Sequence, residues 1–260
     1  MVFPKKRYGQ HFLRDDNIAR KIIGYLPGEY NTVIEIGAGT GVLSKYLLQD
    51  KRLNPYFFEI DNESVQHLNA AYPSIREKLV NADFLDYDLS VFPYPFVIIG
   101  NFPYNISSQI LFRVLENRNK IPVVIGMFQK EVAERIASPP GSKKYGILSI
   151  LLKAFYDIEY LFTVNETVFY PPPKVKSAVI RLKRNTTAHL DCDEELFTRL
   201  VKTAFNQRRK TMKNALKSLN LPSFQGFEDI ITLLSKRAEQ LSVEDYCLLT
   251  RNISGKIIPD

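Results

Sequence analysis

Cysteine is scarce in this chain. Only Cys192 and Cys247 occur in 260 residues, with no CxxC pair and only His189 near either of them. That usage argues against a disulfide framework or a zinc-binding pattern and for a reducing compartment, so no metal is expected. Long apolar runs are also absent: no stretch approaches the roughly 20 residues needed to span a bilayer as a helix. The start, Met1–Arg7, is basic but leads into no apolar core. It is therefore not a secretory signal, and a cytoplasmic location is expected. Internal repeats and low-complexity tracts are lacking. Acidic charge is the minority sign, 28 Asp and Glu against 35 Lys and Arg, for a net charge of +7. A polyanionic partner such as nucleic acid suits that balance, although a basic surface alone does not demand one.

Hydrophobic residues make up 45% of the chain and charged residues 24%, a globular composition with ample material for a core. Over the first two-thirds, short apolar runs alternate with helical periodicity, which predicts a doubly wound, mostly parallel sheet. Strands are predicted at Thr32–Ile36, Pro55–Ile60, Lys78–Asn81, Phe96–Gly100, Pro122–Gln129, Ile158–Val164 and Ser177–Lys183. Helices are predicted at Asp16–Leu26, Gly41–Gln49, Glu63–Ala71, Ser107–Asn117 and Lys130–Ala137. The polar stretch Arg184–Asp193 reads as a linker, and only helical patterns follow it. Two domains are expected: residues 1–187 as an α/β catalytic domain, and 188–260 as a small helical one.

Gly37-Ala38-Gly39-Thr40-Gly41 joins the first predicted strand to a helix. Glycines in such a turn let the backbone approach a ligand closely. Glu59 ends the next strand about 20 residues on, where a carboxylate can accept two hydrogen bonds from a ribose diol. These two features alone leave NAD, FAD and S-adenosylmethionine open. Against NAD stands the missing GxGxxG spacing. Asp83 follows the third strand, where it can accept from an adenine amino group, and Asn101 follows the fourth. The four features in this order resemble the class I S-adenosylmethionine-dependent methyltransferases.

Asn101-Phe102-Pro103-Tyr104 stands straight after the apolar run Phe96–Gly100, at the strand end where open α/β sheets place ligands. An adenine N6 amine is a poor nucleophile because its lone pair is delocalised into the ring. Accepting hydrogen bonds from both N6–H groups favours a pyramidal nitrogen, and such acceptors act most strongly as the transition state forms. The Asn101 side-chain carbonyl and the Phe102 backbone carbonyl are the candidate acceptors. Pro103 shapes the turn, and Tyr104 offers a ring for the base. An ordinary strand-ending turn is the bland alternative, and the glycine turn upstream weighs against it.

The resemblance extends further. Asn-Phe-Pro-Tyr here is similar to the signature of the rRNA adenine N6-methyltransferases. Lys6–Leu13, Asn101–Ser108, Gln129–Val132, Lys144–Ser149, Phe169–Val175 and Ala204–Thr211 resemble one branch, the small-subunit (16S) rRNA adenine N6,N6-dimethyltransferases. That resemblance covers about residues 5–250. It implies methylation of two adjacent adenines in a hairpin loop near the 3′ end of small-subunit rRNA, on an immature subunit, by a monomer. By the same resemblance His11 and Leu13 line the cofactor site, Gly37 approaches the methionine moiety, Glu59 holds the ribose and Asp83 the adenine. Asn101 then lies between cofactor and target, and Phe169 faces Tyr104 across the target base. His11 replaces a frequent Asn, Ala38 a frequent Pro, and Phe102 the commoner Leu.

Arg199, Lys202, Arg208, Arg209, Lys210, Lys213 and Lys217 fall in one stretch without an acid. A solvated helical face is the usual meaning of such a run. Its one-sided charge favours RNA phosphate contacts, with Arg208, Arg209, Lys210 and Lys213 the candidates. Two rival readings remain at this point: the large-subunit rRNA methyltransferase branch associated with macrolide resistance, and a non-catalytic RNA or ribosome-assembly factor.

Overall fold

The computed structural model describes residues 2–219 and 228–254. Its strands are β1 (Phe12–Leu13), β2 (Thr32–Ile36), β3 (Asn54–Phe58), β4 (Leu79–Val80), β5 (Val97–Asn101), β6 (Val123–Gln129), β7 (Tyr156–Val164), β8 (Phe169–Tyr170) and β9 (Ser177–Arg184). The α-helices are α1 (Asp16–Ile23), α2 (Ser44–Gln49), α3 (Asn62–Ala71), α4 (Ser107–Glu116), α5 (Lys130–Ala137), α6 (Ile147–Lys153), α7 (Glu194–Asn206), α8 (Met212–Ala215), α9 (Glu228–Ser235) and α10 (Val243–Ser254).

Every residue of β2 is buried, as expected of a central strand covered on both faces. Seven strands lie in the order β4-β3-β2-β5-β6-β9-β7. The first five of these run parallel, and β9 is antiparallel to β6. The mostly parallel, doubly wound sheet expected from the apolar runs is therefore present. Helices α1, α2 and α4 are shorter than periodicity predicts. Helix α2 begins only at Ser44, because Gly41 stands at φ +83°, outside the helical region. Asp15, Asp61 and Asp193 cap α1, α3 and α7 by accepting from amides in their first turns.

The separate two-residue ladder β1–β8 was not expected. It is antiparallel, with Phe12 opposite Tyr170 and Leu13 opposite Phe169. Directly opposed residues share a side of the ladder and successive ones alternate. Leu13 and Phe169 face the core, at 4% and 3% exposure, and pack in the cluster that contains Val33, Val97 and Ile125.

Two compact units divide the chain: Met1–Ala133 with Ile158–Arg184, and Glu134–Asp157 with Asn185–Asp260. The units part at 184/185, three residues before the expected 187/188. Segment Glu134–Asp157, assigned from sequence to the first domain, groups with the helical unit instead. Its α6 was missed by periodicity. Within that unit Gly141 N–H donates to the Glu239 carbonyl at 2.7 Å, and Asn185 N–H to that of Phe155 at 3.1 Å. Tyr145 packs edge-on against Phe205.

Candidate active site

Strand order reverses at β2, with β3 on one side and β5 on the other. Open α/β sheets hold ligands beyond the carboxyl ends of strands at such a point. Gly37 follows β2, Glu59 follows β3, Asp83 comes after β4, and Asn101 ends β5. A cavity of about 280 Å³ opens there with all four in its wall.

Glu59 is only 5% exposed. Its Oε2 accepts from Gly39 N–H at 2.7 Å and its Oε1 from Asp61 N–H at 2.9 Å. Gly37 and Gly39 stand at φ +73° and +56°, backbone that favours glycine. Burial raises the Glu59 carboxyl above its ordinary range; the amide bonds oppose this but do not cancel it. A carboxylate offers about four lone-pair sites, so acceptors remain for a vicinal diol. Asp83 Oδ1 accepts from Leu85 N–H at 2.9 Å. Ala82, Phe84 and Ile60 line the same cavity, giving apolar walls for a flat ring. One strand away, buried Glu35 accepts from the Ser44 hydroxyl at 2.7 Å. Burial pushes its carboxyl up to about 8, and it is not part of the cavity wall.

At the end of β5, Asn101 Nδ2 donates to the His11 backbone carbonyl at 2.8 Å. That carbonyl selects the amide orientation, leaving Oδ1 as the free acceptor. Phe102 is 1% exposed, its ring set edge-on against Phe128 at 5.2 Å. A Cβ at Gly126 would lie 2.5 Å from that ring, so a glycine in β6 makes room for it. Among the described residues no donor reaches the Phe102 carbonyl or Asn101 Oδ1. Pro103 and Tyr104 complete the wall. Tyr104 is anchored through its hydroxyl to Ser177 Oγ at 2.5 Å, and burial raises its phenol, keeping it neutral.

The segment before β1 closes over this region. Lys5 Nζ pairs with Asp61 at 2.5 Å and Glu63 at 3.1 Å, and Gln10 Nε2 donates to Asp61 Oδ2. Burial pushes the Asp61 carboxyl up, but the bonds from Lys5, Gln10 and the Glu63 amide together leave it below the usual range. His11 Nδ1 lies 2.7 Å from the Pro171 carbonyl, and its ring stacks on Tyr104 at 5.5 Å.

The structure therefore brings together His11, Gly37, Glu59, Asp83, Asn101, Phe102, Pro103 and Tyr104 in one wall. Leu13 and Phe169 do not line the cavity; both are core residues of the β1–β8 ladder. Phe12 lines the wall in place of Leu13, and His11, not Phe169, faces Tyr104. A base sandwiched between two rings needs about 7 Å between them, so the His11–Tyr104 pair stands closed. Lys5, Gln10, Phe12, Ile60 and Asp61 were missed, because the closure joining residues 5–13 to β3 and β5 leaves no local sequence signal.

In the helical unit the basic run is not one face. It spans the end of α7, a turn and α8. Arg208 donates to the Lys143 carbonyl at 2.5 Å and pairs with Glu239 at 3.6 Å, which ties it within this unit. Arg209, Lys210 and Lys213 are exposed and make no ion pair among the described residues. Cys192 and Cys247, distant in sequence, meet beside Asp191 with ligand atoms within 4.8 Å of one another. Asp191 is bonded to Arg251, and burial raises both thiols.

Comparison with known proteins identifies the family. A family model described as "Ribosomal RNA adenine dimethylase" matches residues 3–254. A "Ribosomal RNA small subunit methyltransferase A" of Cytophaga hutchinsonii is 54% identical over 98% of this chain and 99% of its own length. That of Flavobacterium johnsoniae is 57% identical over 98% and 97%. Among solved structures, a dimethyladenosine transferase from Plasmodium falciparum superposes with a TM-score of 0.76 at 27% identity, over 94% of this chain and 98% of that one. The 23S rRNA methyltransferase ErmE, at TM-score 0.69 and 24% identity over 94% and 99%, shares the fold.

Proposed function

The chain belongs to the ribosomal RNA adenine dimethylase family, and from that premise we propose that it methylates two adjacent adenines in a hairpin loop near the 3′ end of small-subunit rRNA. It has the class I methyltransferase fold, uses S-adenosylmethionine, and converts adenine in small-subunit rRNA to N6,N6-dimethyladenine. The observation that carries the catalytic reading is the pair of unclaimed acceptors, Asn101 Oδ1 and the Phe102 carbonyl, in the wall of the cavity that holds Glu59.

The residues present fit the cofactor. Glu59 offers its remaining lone pairs to the ribose diol, Asp83 an acceptor to the adenine amino group, and the Gly37 turn a close backbone approach. When bound, S-adenosylmethionine supplies an electrophilic methyl group on a sulfonium sulfur. Asn101 Oδ1 and the Phe102 carbonyl hold the two N6 protons of the target, turning the nitrogen lone pair out of the ring plane. Their effect grows as positive charge develops on that nitrogen. One proton leaves after each transfer, and the remaining N6–H keeps one acceptor for the second methylation. Tyr104, fixed by Ser177, presents its ring to the base, and entry beside it requires the His11 ring to shift by roughly 1.5 Å. Positioning supplies most of the catalysis.

An unpaired loop suits this site, because splaying a base from a loop costs less than from a duplex. Exposed Arg209, Lys210 and Lys213 add phosphate contacts over a broad surface, which favours a partly assembled subunit as substrate. The protein acts as a cytoplasmic monomer in this proposal. Incubation with labelled S-adenosylmethionine and, in parallel, immature small subunits or large subunits, then nucleoside mass spectrometry, tests it. Dimethyladenosine at two adjacent loop positions is expected; label confined to large-subunit rRNA overturns the proposal.

A further inference from the structure

Alternation in the β1–β8 ladder has a second consequence. Phe169 is turned into the core, so the residue of β8 on the same side as cavity-lining Phe12 is Tyr170, its direct cross-strand partner. Such partners have Cβ atoms about 5 Å apart, which sets Tyr170 beside cavity-lining Phe12. It is 40% exposed, unusual for a large aromatic side chain here. The Arg14 guanidinium lies over its ring at 4.0 Å from the centroid, and Arg14 N–H, donating to the Val168 carbonyl at 2.8 Å, fixes the backbone beneath. The next residue, Pro171, holds the His11 ring through its carbonyl, so Tyr170 and the Tyr104 pocket are physically joined.

A half-exposed aromatic ring backed by a planar cation is the chemistry that receives a single-stranded nucleotide. The ring stacks on any base, and the guanidinium both stacks and reaches a phosphate. Resting on the function proposed above, we infer that Tyr170 and Arg14 form a second nucleotide subsite, which stacks the unpaired nucleotide flanking the target adenine while that adenine occupies the Tyr104 pocket.

The test uses the full chain saturated with S-adenosylhomocysteine and a labelled RNA hairpin whose loop carries two adjacent adenines, read by fluorescence anisotropy. Tyr170→Ala and Arg14→Ala are each expected to weaken RNA binding about 10-fold, within the range for loss of one base–aromatic stack. Tyr170→Trp should keep wild-type affinity. S-adenosylhomocysteine affinity, measured by calorimetry, should stay within about 2-fold in all three. Unchanged RNA affinity in Tyr170→Ala overturns the subsite. So does a parallel loss of S-adenosylhomocysteine affinity, which would make Tyr170 a prop for the ladder, and so does undetectable hairpin binding by the wild type. A wild type that binds the hairpin normally but methylates no adenine in small subunits refutes the enzymatic reading instead, and the binding arm still decides the subsite.

Discussion

Replacing Asn101 by alanine removes two interactions that differ in kind. One is the Oδ1 acceptor for a target N6 proton; the other is the 2.8 Å bond from Nδ2 to the His11 carbonyl. The acceptor strengthens only as charge develops on the nitrogen. Deleting one such preorganised partner costs about 10²- to 10³-fold in turnover. The Phe102 carbonyl remains, so activity should not vanish. The second loss is an ordinary neutral hydrogen bond, worth about 1 kcal/mol, or roughly 5-fold in an equilibrium constant. It acts on the segment that closes over the cofactor. Asn101→Ala should therefore lower single-turnover methyl transfer to small subunits by at least about 100-fold, while raising the cofactor Kd by no more than about 5-fold. Rapid-quench kinetics with labelled cofactor gives the first quantity and calorimetry the second. Turnover within 3-fold of wild type would refute the acceptor role. A cofactor Kd that rises as far as turnover falls would recast Asn101 as a fastener of the N-terminal segment.

Glu59→Ala should weaken cofactor binding by about 1.5–3 kcal/mol, the range for hydrogen bonds to a charged group; an unchanged calorimetric Kd would remove Glu59 from the ribose site. Glu35, with its carboxyl pushed up to about 8 by burial, holds its proton in the folded state while the unfolded chain loses it near its ordinary value. Its contribution is thus fully present at low pH and is lost as pH rises toward 8, a change of up to about 5 kcal/mol. Denaturant titrations of Glu35→Gln, which stays neutral and still accepts from Ser44, should show a flatter profile from pH 5 to 8; an unaltered slope would refute the buried-acid assignment. Arg209, Lys210 and Lys213 changed together to alanine should lower the salt slope of RNA binding by about 2, at roughly 0.7 per phosphate contact. Arg208→Ala should instead leave that slope unchanged and cost about 1 kcal/mol of stability, because it is tied to Lys143 and Glu239; the reverse pattern would exchange their roles.

What was legible in the sequence follows from where the information is local. Val97–Gly100 and Val123–Phe128 are continuous apolar runs because they are buried on both faces, so they declare themselves. Gly37, Glu59, Asp83 and Asn101 each stand at or just beyond such a run, and a parallel sheet brings those ends together without further instruction. A two-residue ladder carries no such signal. With no period to read, the choice between Phe169 and Tyr170 as the cavity-side residue rests on register, and a one-residue slip exchanges the two faces. The resemblance pointed to Phe169 and Leu13, and the register turns both toward the core while Phe12 enters the cavity wall. The basic run misled for a related reason. Counting charges along α7 and α8 cannot reveal that the acid paired with Arg208 is Glu239, which lies beyond α9.

The residues that hold the cofactor and those that hold the N-terminal segment are not separate sets. Asp61 donates its backbone N–H to Glu59 and accepts Lys5 and Gln10 on its side chain, so one residue at the start of α3 belongs to both. Asn101 does the same at the other strand end, with Oδ1 free in the catalytic turn and Nδ2 on the His11 carbonyl. His11 then carries the connection to Tyr104 and to Pro171. A displacement of residues 5–13 therefore disturbs the ribose cradle, the acceptor amide and the ring that guards the base pocket in one movement. For a site that must transfer more than one methyl group to the same nitrogen, that linkage ties the readiness of the catalytic turn to the state of the cofactor cavity.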